Sequence, residues 1–165
     1  MRIAFDLDGT IVPEPGSPMT IERLGLVARL ISREHIREGT PRLLKELRRQ
    51  GHGIWLYTTS LRSPARLRVW FASFGVRLDG IVNHARHRAV MAETSVACSK
   101  YPPAFGIDLL IDDAEGVTIE GERLGFAVFR VAEDDASWCS RILRRVHDAE
   151  SRKAGGETCS AHPKR

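Results

Sequence analysis

Ile3–Thr10 reads Ile-Ala-Phe-Asp-Leu-Asp-Gly-Thr, and the order of these eight residues predicts both a fold and a site. The apolar start suits a strand buried on both faces, the kind that parallel sheets contain. It ends in two carboxylates one residue apart, Asp6 and Asp8, followed by Gly9 and Thr10. Open α/β sheets place their ligands beyond the carboxyl ends of such strands. Side chains alternate along a strand, so Asp6 and Asp8 share a face if the strand continues. Gly9 lets the chain turn away at once, leaving both acids clustered and partly desolvated. A pair of this kind either holds a hard cation or divides nucleophilic and acid–base work. An EF-hand Ca²⁺ loop does not fit, because counting from Asp6 its sixth and twelfth positions hold Ile11 and Ser17 instead of Gly and Glu.

Outward from this octet, apolar strands and amphipathic helices alternate. The pattern predicts a doubly wound, Rossmann-like α/β fold: a mostly parallel sheet with helices on both faces. Strands are expected near Arg2–Asp6, Gly53–Tyr57, Gly80–Val82, Ile107–Ile111 and Phe126–Val131. A helix is expected after Thr20, with Leu24, Val27, Leu30 and Ile31 on one stripe. Another has Thr40 as N-cap, Pro41 at its first position and Gly51 as its stop. Ser63 and Pro64 open a third, whose apolar face is Leu67, Trp70, Phe71 and Phe74. A last helix is expected over about Ala136–Asp148.

The chain has 165 residues, 42% of them hydrophobic and 28% charged, the balance of one soluble domain with a real core. Residues 1–150 are expected to form that domain, with no large inserted cap. Residues 151–165 read as a disordered basic tail. The tail holds Arg152, Lys153, Lys164 and Arg165 against Glu157, so it carries most of the net charge of +4. The body is close to neutral, which makes nucleic acid an unfavoured partner. No apolar run has the length of a membrane span, and the chain enters its first strand without a signal-peptide pattern. A cytoplasmic protein with no membrane partner is expected. Cys98, Cys139 and Cys159 are scattered and show no Cys-x-x-Cys spacing, which supports neither a disulfide framework nor a zinc ribbon.

Two later segments carry chemistry of the same kind. Gly51–Ser60 is an apolar strand ending in Thr58 and Thr59. Asp108–Gly116 reads Asp-Leu-Leu-Ile-Asp-Asp-Ala-Glu-Gly, so a second strand ends in paired acids, Asp112 and Asp113. Lys100 precedes that strand and is the only lysine between Lys45 and Lys153.

These segments, in this order, resemble the four motifs of the haloacid dehalogenase (HAD) superfamily. Asp6, Asp8 and Thr10 match its Asp-x-Asp-x-Thr motif. Thr58 matches the hydroxyl residue of the second motif, Lys100 the basic residue of the third, and Asp112-Asp113 the acidic pair of the fourth. Arg86 and Arg88 are alternatives to Lys100. The resemblance implies a HAD-like fold and a Mg²⁺-dependent phosphomonoesterase that works through an aspartyl phosphate. In that scheme Asp6 is the nucleophile and Asp8 the general acid and base, while Thr58 and Lys100 hold the phosphoryl oxygens. Mg²⁺ is held by Asp6, the backbone of Asp8 and Asp113, with Asp112 ligating directly, through water, or only by hydrogen bonding. Thr59, Arg62 and Arg86 are candidate substrate-binding residues on the rim. The implied substrate is a small phosphomonoester such as a nucleotide or sugar phosphate. The alternatives are a nucleic-acid end, a phosphoprotein, or a regulatory HAD-fold protein without turnover.

Overall fold

Short apolar runs with alternating partners on two faces produce the sheet. The computed structural model describes residues 1–23, 25–94 and 96–157, with the side chains of Leu26, Val27 and residues 153–157 left aside. Five strands, β1 (Arg2–Phe5), β2 (Gly53–Tyr57), β3 (Gly80–Val82), β4 (Leu109–Asp112) and β5 (Val128–Arg130), form one parallel sheet in the order β3-β2-β1-β4-β5. The expected doubly wound, Rossmann-like α/β fold is the observed one.

Ile3, Phe5, Ile54, Leu56, Leu109 and Ile111 face one side and pack against Leu43, Leu44 and Leu47 of α2 (Thr40–Arg49). Leu67, Trp70 and Phe71 of α3 (Pro64–Ser73) and Ile142 and Val146 of α6 (Trp138–Glu157) complete that layer. Ala4, Tyr57 and Leu110 face the other side, under Phe105, Ile107 and Val117, the last from α5 (Glu115–Leu124). The central strands β1 and β4 therefore bury both faces, which is why their sequences lack a polar alternation, whereas β5 at the edge is half-buried to exposed. Gly80 has no side chain because a Cβ there would collide with the Trp55 ring on β2.

Several boundaries differ from the sequence reading. The helix expected after Thr20 is a single short one, α1 (Leu26–Ile31), and Leu30 is exposed rather than part of a buried stripe. Leu24 lies outside the described residues, as does the side chain of Val27. Thr40 is the first residue of α2 and not its cap. Gly39, at φ +84°, makes the turn, and the Thr40 hydroxyl donates to the Arg37 carbonyl at 2.7 Å. β4 begins and ends later than expected and so includes Asp112. α6 runs on to Glu157, past the boundary expected at residue 150. Residues 158–165, with Cys159 and the rest of the expected basic tail, lie outside the described residues. No helix among the described residues is long and apolar enough to cross a membrane.

The order of the strands locates the site. From β1 the chain crosses to β2 and β3 on one side, and then returns to β4 and β5 on the other. The carboxyl ends of β1 and β4 therefore flank the topological switch point, where loops part and leave a crevice.

Candidate active site

Asp6 follows β1 and Asp112 ends β4, so both acids stand at that switch point. The register Phe5↔Leu56 and Phe5↔Ile111, continued by one residue, sets Asp6 between Tyr57 and Asp112 in one row on one face. The Asp6 amide donates to the Ile111 carbonyl at 2.8 Å and ties the two strand ends together.

Over that row lies Lys100. Its Nζ is 2.5 Å from Asp6 Oδ1 and 2.7 Å from Asp112 Oδ2, and it is only 5% exposed. A lysine is rarely buried to this degree unless paired, and here it has two partners. Asp112 is fully committed: its second oxygen, Oδ1, accepts from the Ala114 amide at 3.0 Å. Asp113 lies beyond the strand and uses Oδ1 to accept from the Thr10 hydroxyl at 2.9 Å. The structure thus brings together Asp6, Lys100, Asp112, Asp113 and Thr10.

Electrostatics follow from this packing. Burial pushes the Asp6 carboxyl from 3.8 up to about 7, even though Lys100 pulls it down; Asp112 adds to the rise. Asp112 is raised too, chiefly by burial and against the pull of Lys100. For Lys100, burial acts to lower the pKa, but the two carboxylates outweigh it and hold the ammonium above its usual 10.5. These directions describe one buried cluster in which negative groups outnumber positive ones.

That imbalance tests the cluster against a cation. Asp6, Asp112 and Asp113 each offer a carboxylate oxygen, and the three oxygens lie within 4.8 Å of one another. Three carboxylates against one ammonium leave a formal excess of two negative charges, which one divalent ion would balance. Every donor is a hard oxygen, the set that suits Mg²⁺ and not Zn²⁺. The residues fit the implied metal. With both oxygens of Asp112 engaged, Asp6 and Asp113 are the freer ligands.

Gly9 keeps this arrangement open. Its φ is +79°, and a Cβ built there would sit 2.5 Å from Asp113 Oδ2. Gly9→Ala should therefore push Asp113 aside, and titration calorimetry should show Mg²⁺ binding weakened about tenfold or more, the range seen when support around a metal ligand is lost. Unchanged affinity would mean that Asp113 is not a ligand.

Asp8 takes a different partner. Its Oδ2 accepts from Arg62 Nη1 at 2.8 Å, and Arg62 Nε donates to Glu34 Oε1 at 3.1 Å. Arg62, read from the sequence as a rim candidate, is thus paired with Asp8 and Glu34. Glu34 was missed by the sequence reading. Thr58 is buried at the end of β2, and its hydroxyl oxygen accepts from the Ser60 amide at 3.0 Å, which leaves its own proton to give. Thr59 is exposed in the loop that follows.

Arg86 has partners within the fold. It lies in the helix α4 (His84–Met91), capped by Asn83, whose side chain accepts from the Arg86 amide at 3.0 Å. The Arg86 guanidinium turns back to the Ile81 carbonyl at 3.0 Å and lies over the Trp55 and Phe105 rings, 5.5 and 5.4 Å from their centroids. Stacking on aromatic faces holds it against these two rings.

No family model matches the chain, and no curated protein does either. Among solved structures, a chain of the Pnkp1/Rnl/Hen1 complex aligns with a TM-score of 0.49 and 16% identity, over 79% of this chain and 45% of that one. A chain of the Pnkp1/Rnl/Hen1 RNA repair complex aligns with a TM-score of 0.49 and 18% identity, over 81% of this chain and 42% of that one. The chain spans less than half the length of the chains it matches, and similarity at this level says nothing of substrate.

Proposed function

We propose that this protein is a Mg²⁺-dependent phosphomonoesterase of the HAD type, acting on a small phosphate ester such as a nucleotide or sugar phosphate. The observation that carries the reading is Lys100, buried 2.5 Å from Asp6 and 2.7 Å from Asp112 at the switch point of a parallel sheet. A surface lysine and two acidic turns would have no reason to converge there.

In this reading Asp6 attacks phosphorus with Oδ2, since Lys100 occupies Oδ1. The P–O bond to the alcohol breaks as the aspartyl phosphate forms. Asp8 gives its proton to the departing alcohol and then takes one from the water that attacks phosphorus, which frees phosphate and regenerates Asp6. Thr58 donates its hydroxyl proton to a non-bridging oxygen, and Lys100 supplies positive charge beside the same group. Arg62, braced by Glu34, fixes the Asp8 carboxyl at the mouth. Mg²⁺, held by Asp6, Asp113 and the Asp8 carbonyl, would offset the repulsion between carboxylate and phosphate.

The test is phosphate release from a panel of nucleotides, sugar phosphates, phosphopeptides and 3′- or 5′-phosphorylated oligonucleotides, with Mg²⁺ or with chelator. Mg²⁺-dependent release from a small ester supports the proposal. Release confined to the oligonucleotides or the peptides would move the substrate to a polymer. No release from any member would contradict an enzymatic role.

A further inference from the structure

Tyr57 stands in the same row as Asp6 and is fully buried. Its hydroxyl oxygen accepts from the Tyr101 amide at 2.8 Å and lies 2.6 Å from His87 Nδ1. A phenol has one proton to give, and a backbone amide can only donate. A bare His87 Nδ1 would take the Tyr57 proton, whereas an Nδ1–H ring would leave that proton with no receiver. The Tyr57 tie lands on Tyr101, the residue after Lys100.

The surroundings of His87 agree with a neutral ring. The groups that face it are Tyr57, His84, Cys98, Lys100 and Glu120. Burial lowers its pKa most, His84 and Lys100 lower it further, and the Cys98 backbone and Glu120 oppose them without prevailing.

We propose that His87 is a positioning residue: in its neutral Nε2–H form it anchors, through Tyr57, the segment that holds Lys100 between Asp6 and Asp112. Protonation would place N–H on both ring nitrogens and leave Tyr57 with a buried proton that nothing receives, a state costly enough to shift the segment. The effect on turnover rests on the phosphatase reading; the tautomer and the tie do not.

Nitrogen-15 spectra of histidine-labelled protein read the tautomer, with the His87 signals assigned by their loss in His87→Asn. Amide exchange at Tyr101, taken relative to its unprotected rate, reads the tie. The spectra should show an Nε2–H ring near neutral pH. Tyr101 protection should fall about tenfold in Tyr57→Phe, the worth of one hydrogen bond, and in wild type as acid titrates His87. His87→Asn puts an acceptor near the place of Nδ1 that cannot be protonated, so it should keep the protection and lose its dependence on pH. Phosphate release should fall about tenfold in kcat/KM in Tyr57→Phe and be largely kept in His87→Asn. An Nδ1–H ring, or unchanged Tyr101 protection in Tyr57→Phe, overturns the proposal whether or not the protein turns over substrate. Full turnover in Tyr57→Phe despite a lost tie overturns the positioning role alone.

Discussion

Asp6→Asn is expected to abolish phosphate release and yet to yield a metal-free protein that is more stable at alkaline pH. The loss should be about 10³-fold or more in kcat, as for removal of a nucleophile elsewhere. The gain comes from burial. An unfolded Asp titrates near 3.8, whereas folded Asp6 is raised to about 7. Between those values the folded chain holds a proton that the unfolded chain has released, so stability falls as pH rises through this window. The full cost is present above about 7. Asn cannot ionise, and its amide oxygen can still accept from Lys100. Urea denaturation in chelator should show wild type losing stability from pH 5 to pH 8, and Asp6→Asn losing less, with an advantage of about 2 kcal/mol at the upper end. Adding Mg²⁺ should narrow or reverse the difference, because the cation binds the ionised carboxylate. A mutant that is less stable than wild type at every pH would mean that Asp6 is not strained by its burial.

Lys100→Met is expected to do the opposite. Its removal leaves Asp6 and Asp112 facing each other without the ammonium that separates them, at positions 7% and 0% exposed. Breaking a buried pair by removing one partner costs about 3–5 kcal/mol, since the remaining charge is uncompensated. The cost should be greatest near pH 8. It should shrink toward pH 5, where raised carboxyl pKa values let protons take over the work of the lysine. Phosphate release should drop about 10²-fold through loss of positive charge beside the transferring group. Lys100→Arg should not restore it, because the planar guanidinium is larger than the space between two carboxylates. A Lys100→Met protein as stable as wild type at pH 8 would remove Lys100 from the centre of the cluster.

The parts of this site that can be read from sequence are those that local chemistry dictates. Apolar runs end in Asp6, Thr58 and Asp112 because buried parallel strands need such runs and their ends are where polar residues become tolerable. Lys100 could be singled out because no other lysine lies between Lys45 and Lys153. What could not be read depends on the path of the chain in space. Glu34 pairs with Arg62 across 28 residues of sequence, a contact that only the path of the chain in space sets. The contacts of the Tyr57 hydroxyl could not be read, because its partners, Tyr101 and His87, lie far away in sequence. Arg86 looked free because its stacking surfaces, Trp55 and Phe105, belong to other elements. Thr40 looked like a cap by residue type, but the left-handed turn at Gly39 starts the helix one residue earlier than a capping Thr would.

The most direct test of the central claim is chemical trapping of the intermediate. Wild-type protein is mixed with Mg²⁺ and the best ester of the panel, quenched, treated with borohydride, and digested for mass spectrometry. An acyl phosphate at Asp6 is reduced to homoserine, so the peptide carrying Ile3–Thr10 should show homoserine at position 6, only when substrate is present and never in Asp6→Asn. Active turnover with no modification at position 6, or with modification at Asp8 in its place, would contradict the assignment of Asp6 as the nucleophile.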